Sequence, residues 1–256
     1  MISRATIAVV LLSALAACSS AGQRQVARQA SAASQVLERQ GSIGEPGRVA
    51  AVDFAFAKMA REEGQWTAFR AYAASDAVMD APRGYAPVAE VLEGLADPAE
   101  PIRWAPTDVW SSCDGTLAVS LGRFIRPNGL VGDYVTVWEL QPDNSYKWIY
   151  DTGTPDDPQP VPEPEEDLPA DAIVVEGMTS IVGRIADCPA RGERFSPPAG
   201  TIERGGSISD TRFSNDWTMR MDREYFLADG RREVRFFWQR EGEWEEGLSF
   251  TVPPGE

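Results

Sequence analysis

The 256-residue chain contains no histidine. That excludes Ser-His-Asp and Cys-His relays and any histidine-based zinc or iron site. Cysteine is scarce: Cys18, Cys113 and Cys188 are the three, spaced too widely for a thiolate metal cluster. No cofactor is implied. Catalysis here would fall to carboxylates, tyrosines, lysine or arginine, which lowers the expectation of an enzyme without abolishing it. Basic residues are also few, 24 against 39 acidic ones, for a formal charge of −15. Such a chain repels nucleic acid and anionic head groups at long range, so neither is an expected partner. The excess acts first as a solubility feature. The N-terminal apolar run, Ile7 to Ala17 broken by Ser13, falls short of the ~20 residues that a membrane-spanning helix needs.

What that run offers instead is a leader. Arg4 precedes it and small residues end it, the layout of a secretory signal. The junction Leu15-Ala16-Ala17-Cys18 resembles the lipobox of bacterial lipoproteins. The resemblance implies cleavage after residue 17 and lipidation of Cys18, giving an exported protein held to the membrane by its acyl chains. Ser19 and Ser20 follow, without the aspartate that retains some lipoproteins at the inner membrane, so an outer-membrane lipoprotein facing the periplasm is expected. The mature chain would carry 23 basic against 39 acidic residues, about −16. Cys113 and Cys188 then remain as an even pair in an oxidising compartment, where a disulfide persists. Two buried free thiols are the alternative.

Along the chain, residues 18–46 read as a tether rich in Ala, Ser, Gln and Arg. Val49, Val52, Phe56 and Met59 share a helical face, and Gly64 ends that helix. A short second helix carries Trp66, Phe69 and Tyr72. A third is expected from Val88 to Leu95, after turn signals at Pro82, Gly84 and Pro87. Beyond Pro101 the period becomes two, and strands are expected at 102–111, 116–125, 130–140 and 145–151. Asp114-Gly115, Pro127-Asn128-Gly129 and Pro142-Asp143-Asn144 separate them. Helices followed by an antiparallel meander indicate an α+β domain over 47–153. Residues 154–170 hold six prolines and six acidic residues and read as an extended linker. Residues 171–256 read as a small β-rich module. Its expected strands are Ile173–Glu176, Thr179–Ile185, Trp217–Leu227, Glu233–Gln239 and Trp244–Val252, with a Gly/Pro-rich loop through Pro197, Pro198, Gly205 and Gly206. At this size it is marginal alone and could pack on the first half.

The segments DFAFAKMAREEGQWTAFRAYAASDAVM, Trp104-x-Pro106-x-Asp108-Val109, Ser112–Gly115 and GDYVTVWELQPDNSYKWIYDTG together resemble the SnoaL-like branch of the nuclear transport factor 2-like superfamily. The resemblance covers roughly residues 49–153. It implies a cone, a curved antiparallel sheet wrapped on three N-terminal helices, with an apolar pocket at its wide end. One fold hosts many functions, so it implies a pocket and no particular activity. Ketosteroid isomerases and polyketide cyclases of this superfamily use pocket carboxylates. Tyr72, Asp76, Asp80, Asp108 and Tyr134 are counterparts here by type alone, and turn or capping aspartates and core tyrosines are the ordinary alternative.

Asp108 is the candidate base. Ideal alternation places it on one strand face with Trp104, Pro106 and Trp110, where an inward carboxylate would be desolvated and its pKa raised. Tyr134, Thr136 and Trp138 share a face of the third strand. The expected ligand-binding set is therefore Trp104, Asp108, Trp110, Tyr134 and Trp138. Three functions compete: a non-catalytic envelope lipoprotein binding a small apolar ligand or envelope partner; an isomerase, cyclase or dehydratase using a lone carboxylate; and a structural or assembly lipoprotein.

Overall fold

In the computed structural model, residues 43–161, 180–190, 193, 195–196 and 206–254 are described. The leader 1–17, Cys18, nearly all of the tether, the stretch 162–170 and the strand expected at Ile173–Glu176 lie outside the described residues.

Helix α1, Pro46–Glu62, begins with proline at its first turn, where the missing N–H costs nothing. Val49, Asp53, Phe56 and Ala60 fall on its buried stripe, at offsets of four, three and four residues. Helix α2, Gln65–Tyr72, follows after Gly64. Its N-terminus is capped from a distant loop: Asp97 accepts from the Thr67 N–H at 3.0 Å and the Thr67 hydroxyl at 2.6 Å. Helix α3 is a single turn, Val88–Val91, shorter than the expected Val88–Leu95.

The strands are β1 Ala73–Ala81, β2 Gly84–Pro87, β3 Arg103–Ser111, β4 Leu117–Ile125, β5 Val131–Leu140, β6 Tyr146–Pro155, β7 Val182–Ile185, β8 Ser207–Phe213, β9 Met219–Phe226, β10 Arg232–Arg240 and β11 Glu243–Val252. They form a seven-stranded mixed sheet, ordered β2-β1-β6-β5-β4-β3-β7, and a four-stranded antiparallel sheet, ordered β11-β10-β9-β8. The architecture is α+β, with few helices and mostly sheet. The meander β3–β6 lies where the turn signals place it, and β6 runs on to Pro155, into the first residues of the expected linker. Strand β1 occupies a stretch for which the sequence predicts no element, β2 falls on the turn signals at Gly84 and Pro87, and β8 follows the expected Gly/Pro-rich loop. In particular, β1 pairs parallel with β6 along one edge.

The larger sheet is covered on both faces, which is why its central strands are buried almost throughout. On one face lie the helices, with Phe56 at 4.8 Å from the Trp104 ring and Phe69 at 5.8 Å from Trp148. On the other, Val119, Val135 and Val137 are fully buried, and Trp110 meets Phe236 of β10 at 4.9 Å. Residues 206–254 are therefore packed against the first half, and Gly44–Glu256 is one compact unit. Strand β7 adds to the larger sheet beside β3. Cys113, in the β3–β4 turn, is bonded to Cys188 just after β7. At the same corner the Cys113 N–H donates to Thr218 Oγ1 at 2.8 Å and the Asp114 N–H to Asp216 at 2.8 Å.

The polar contact between the sheets centres on Asp80. Tyr150 and Thr152 hydroxyls donate to it at 2.8 and 2.7 Å, and Arg232 pairs with it at 3.3 Å. Burial nevertheless raises its pKa above the ordinary carboxylate range. Arg223 lies over the rings of Tyr85 and Tyr150, at 4.9 and 5.5 Å. These charges add polar contacts to the apolar packing between the two layers.

Candidate ligand-binding site

Between the helices and the larger sheet lies a cavity of about 140 Å³, bounded by Phe69, Ile102, Trp104, Phe124, Arg126, Tyr134 and the β6 segment Asp151-Thr152-Gly153. Small residues make the room. In the β4–β5–β6 register, Gly122, Tyr134 and Gly153 form one row across the sheet, and Phe124 lies opposite Gly132 in the next. A Cβ on Gly122 would lie 2.6 Å from the Tyr134 ring, and one on Gly132 would lie 2.6 Å from the Phe124 ring. Both rings lie over bare backbone, and the space above them is the cavity.

One row deeper are Ser120, Thr136 and Asp151. Asp53 of α1 projects to this row and is fully buried. It accepts from Trp104 Nε1 at 2.9 Å, the Ser120 hydroxyl at 2.8 Å and the Tyr134 hydroxyl at 3.0 Å. Trp138 Nε1 in turn donates to Ser120 Oγ at 3.0 Å. Burial pushes the Asp53 pKa up to about 6, and the three donors, which favour the carboxylate, only moderate the rise. The Tyr134 hydroxyl is held well above its ordinary value by the same burial and by the Asp53 charge. Asp53 is thus a saturated carboxylate that orients Trp104 and Tyr134 toward the cavity.

Asp151 differs. It lines the cavity itself, half-buried, and takes one side-chain hydrogen bond, from Thr136 Oγ1 at 2.6 Å. Desolvation raises its pKa to about 7, and the negative charges of Asp53 and Asp80 push the same way. A carboxyl group in this state exchanges a proton near neutral pH, can donate when protonated, and can accept when ionised.

Of the five residues expected to bind ligand, Trp104 and Tyr134 line the cavity. Trp138 is fully buried behind it, near Phe56 at 6.2 Å. Trp110 and Asp108 face away from it. The register between β3 and β4 shifts between Pro106 and Asp108, a bulge at Thr107 that moves every later residue to the opposite face. Asp108 therefore parts from Trp104 and pairs with Arg184 of β7 at 2.7 Å. The same Arg184 guanidinium lies 4.9 Å from the Trp110 ring. Asp108 is no pocket base. Asp76 is likewise at the surface, paired with Arg212 at 2.8 Å, and Tyr72 packs on Phe56 at 5.2 Å.

The residues that carry the site's chemistry, Asp53 and Asp151, were not among the sequence candidates. Asp53 had a readable signal, since an acidic residue in the stripe Val49, Phe56, Ala60 must be buried if that stripe is. Asp151 had a weaker one. Its inward direction depends on a register shift between Val137 and Trp138, where β5 pairs with β6. Among the described residues no group of three His, Cys, Asp or Glu side chains could hold a metal ion. Comparison of the chain with protein-family models and with curated proteins gives no match.

Proposed function

We propose that this chain is a lipid-anchored envelope protein of SnoaL-like architecture whose cavity binds a small, largely apolar ligand without turning it over. The observation that carries the reading is the cavity, walled by Phe69, Ile102, Trp104 and Phe124, with Tyr134, Asp151 and Arg126 among its polar groups. A few placed polar groups in an apolar wall are what orient a ligand in a binding site. A volume of about 140 Å³ suits a body of one ring or a short chain, since an apolar cavity of ~150 Å³ takes up benzene. Helices on one face of the meander, with a cavity between the layers, support the SnoaL-like reading, and the Leu-Ala-Ala-Cys18 junction supports the anchor.

Native mass spectrometry of the purified chain tests the binding role. A co-purifying small molecule lost on Trp104→Ala is expected, and a chain that takes up no apolar probe would overturn the proposal. For the anchor, Cys18→Ser should move the protein from the membrane fraction to the soluble one. Unchanged fractionation would remove it.

A second reading, general-base catalysis, is favoured by one observation: Asp151 lines the cavity with its pKa near 7. It predicts a turnover abolished by Asp151→Asn while ligand binding persists.

A further inference from the structure

A second hollow, of about 380 Å³, adjoins the first at the end of the sheet. Its wall includes Arg61 from the last turn of α1, Arg103 at the start of β3, and Arg126 just after β4. Arg126 lines both spaces, so the two hollows adjoin at its side chain. Arg103 pairs with Ile125 and Trp104 with Phe124, so Arg103 leaves the strand opposite Trp104 and meets the second hollow at the end of the sheet.

Three guanidiniums around one hollow are unusual in a chain of formal charge −15. Glu100 is the one acidic residue in the same wall. Nearby Arg123 is satisfied by Asp133 and Asp156 at the surface. By contrast, among the described residues neither Arg61, Arg103 nor Arg126 lies in an ion pair, and Arg126 rests over the Phe124 ring at 5.5 Å. The group retains a net positive charge and free donors, beside the apolar cavity that Arg126 also lines.

The strand register gives this arrangement a direction. Asp151 lies in the row of Ser120, and Arg126 lies six residues further along the β4 chain. Both nevertheless line the one cavity, because the Arg126 guanidinium folds back over the Phe124 ring. Negative and proton-exchanging groups occupy the deep end, and positive ones the outer end.

We propose that the cavity's ligand is an amphipathic anion: a one-ring or short-chain body seated against Phe69, Trp104 and Phe124, with a carboxylate held by Arg61, Arg103 and Arg126. The proposal rests on the cavity being a ligand site and adds the ligand's charge and orientation. Guanidinium forks match a carboxylate in geometry and donate charge-assisted hydrogen bonds to it. Each exposed pair contributes little, but three acting on one group multiply to a preference of ~10-fold over a neutral counterpart.

The test is calorimetric titration of the purified chain with three probes, 4-phenylbutanoate, 4-phenylbutanamide and acetate, at low and high ionic strength. The aromatic carboxylate should bind ~10-fold more tightly than the amide at low salt, with the gap narrowing as salt screens the exposed arginines. In the Arg61→Gln/Arg103→Gln double variant, which keeps Arg126, the preference should fall to ~2-fold. Glu100→Gln should tighten carboxylate binding. Equal affinities of carboxylate and amide in the wild type, or a preference undiminished in the double variant, would overturn the anion assignment and leave the apolar site standing. Acetate binding as tightly as the aromatic acid would overturn the coupling of head and body. If neither aromatic probe binds, the cavity reading and this inference fall together.

Discussion

Replacing Asp53 by asparagine should remove a pH dependence of stability that the wild-type fold carries. The carboxyl group is fully buried, and its pKa stands at about 6 in the folded chain against an ordinary 3.8. Between those values the folded state binds the proton more tightly than the unfolded chain does. Stability therefore falls as pH rises, the reverse of a salt-bridged carboxylate. The favourable contribution is complete below pH ~3.8 and exhausted just above pH 6. At 1.36 kcal/mol per pKa unit, the loss between pH 4 and pH 7 is ~2 kcal/mol. Asparagine cannot ionise, yet it can still serve the cluster. Its oxygen accepts from Trp104, whose indole can only donate, and its amide group donates to the Ser120 and Tyr134 hydroxyls, which rotate to accept. The fold should survive. Urea unfolding followed by tryptophan fluorescence, at intervals from pH 4 to pH 7, gives the two profiles. Asp151, with its pKa at about 7, makes both profiles slope the same way, so the readout is the difference between them. The gap should change by ~2 kcal/mol across the range in favour of the variant at neutral pH. Parallel profiles would refute the assignment of a proton-binding group at Asp53.

Other perturbations follow from the same geometry. Paired serine substitution of Cys113 and Cys188 releases a loop of 75 residues and should cost up to ~4 kcal/mol; without reductant, a thiol count on the denatured wild type should find neither cysteine reactive. Asp108→Ala removes an ion pair with a partly exposed arginine, so it should cost under ~1 kcal/mol and leave ligand binding intact. Lost binding in that variant would put Asp108 back in the cavity. Gly122→Ala would set a methyl group 2.2 Å from the Ala105 carbonyl oxygen and 2.6 Å from the Tyr134 ring. We expect destabilisation of ~2 kcal/mol and weakened ligand uptake, and an unchanged melting temperature would contradict the packing described.

Much of the first half was legible because its signals are local. The turn signals at Gly115, Gly129 and Asn144 separate β3 to β6, and the positive φ values of these residues match the backbone demanded there. The helical stripe of Val49 and Phe56 likewise needs no partner to be read. Strands β1 and β8 were not legible. Their sequences, AASDAVMDA and SISDTRF, lack a sustained apolar–polar alternation, and they extend because β6 and β9 offer edges to pair with.

By itself, the sequence determined the α+β class, the meander, the absence of histidine chemistry and the pairing partners available to each cysteine. These follow from composition and from residues within a turn or two of one another. Only the tertiary structure decided which carboxylates matter. A single unpaired residue at Thr107 turns Asp108 outward, and a register shift at Trp138 turns Asp151 inward. Each depends on how a strand meets its neighbour. The acidity of Asp53 and Asp151 likewise comes from water excluded by residues far away in the chain, and Arg61, Arg103 and Arg126 come together around one hollow only in the folded chain.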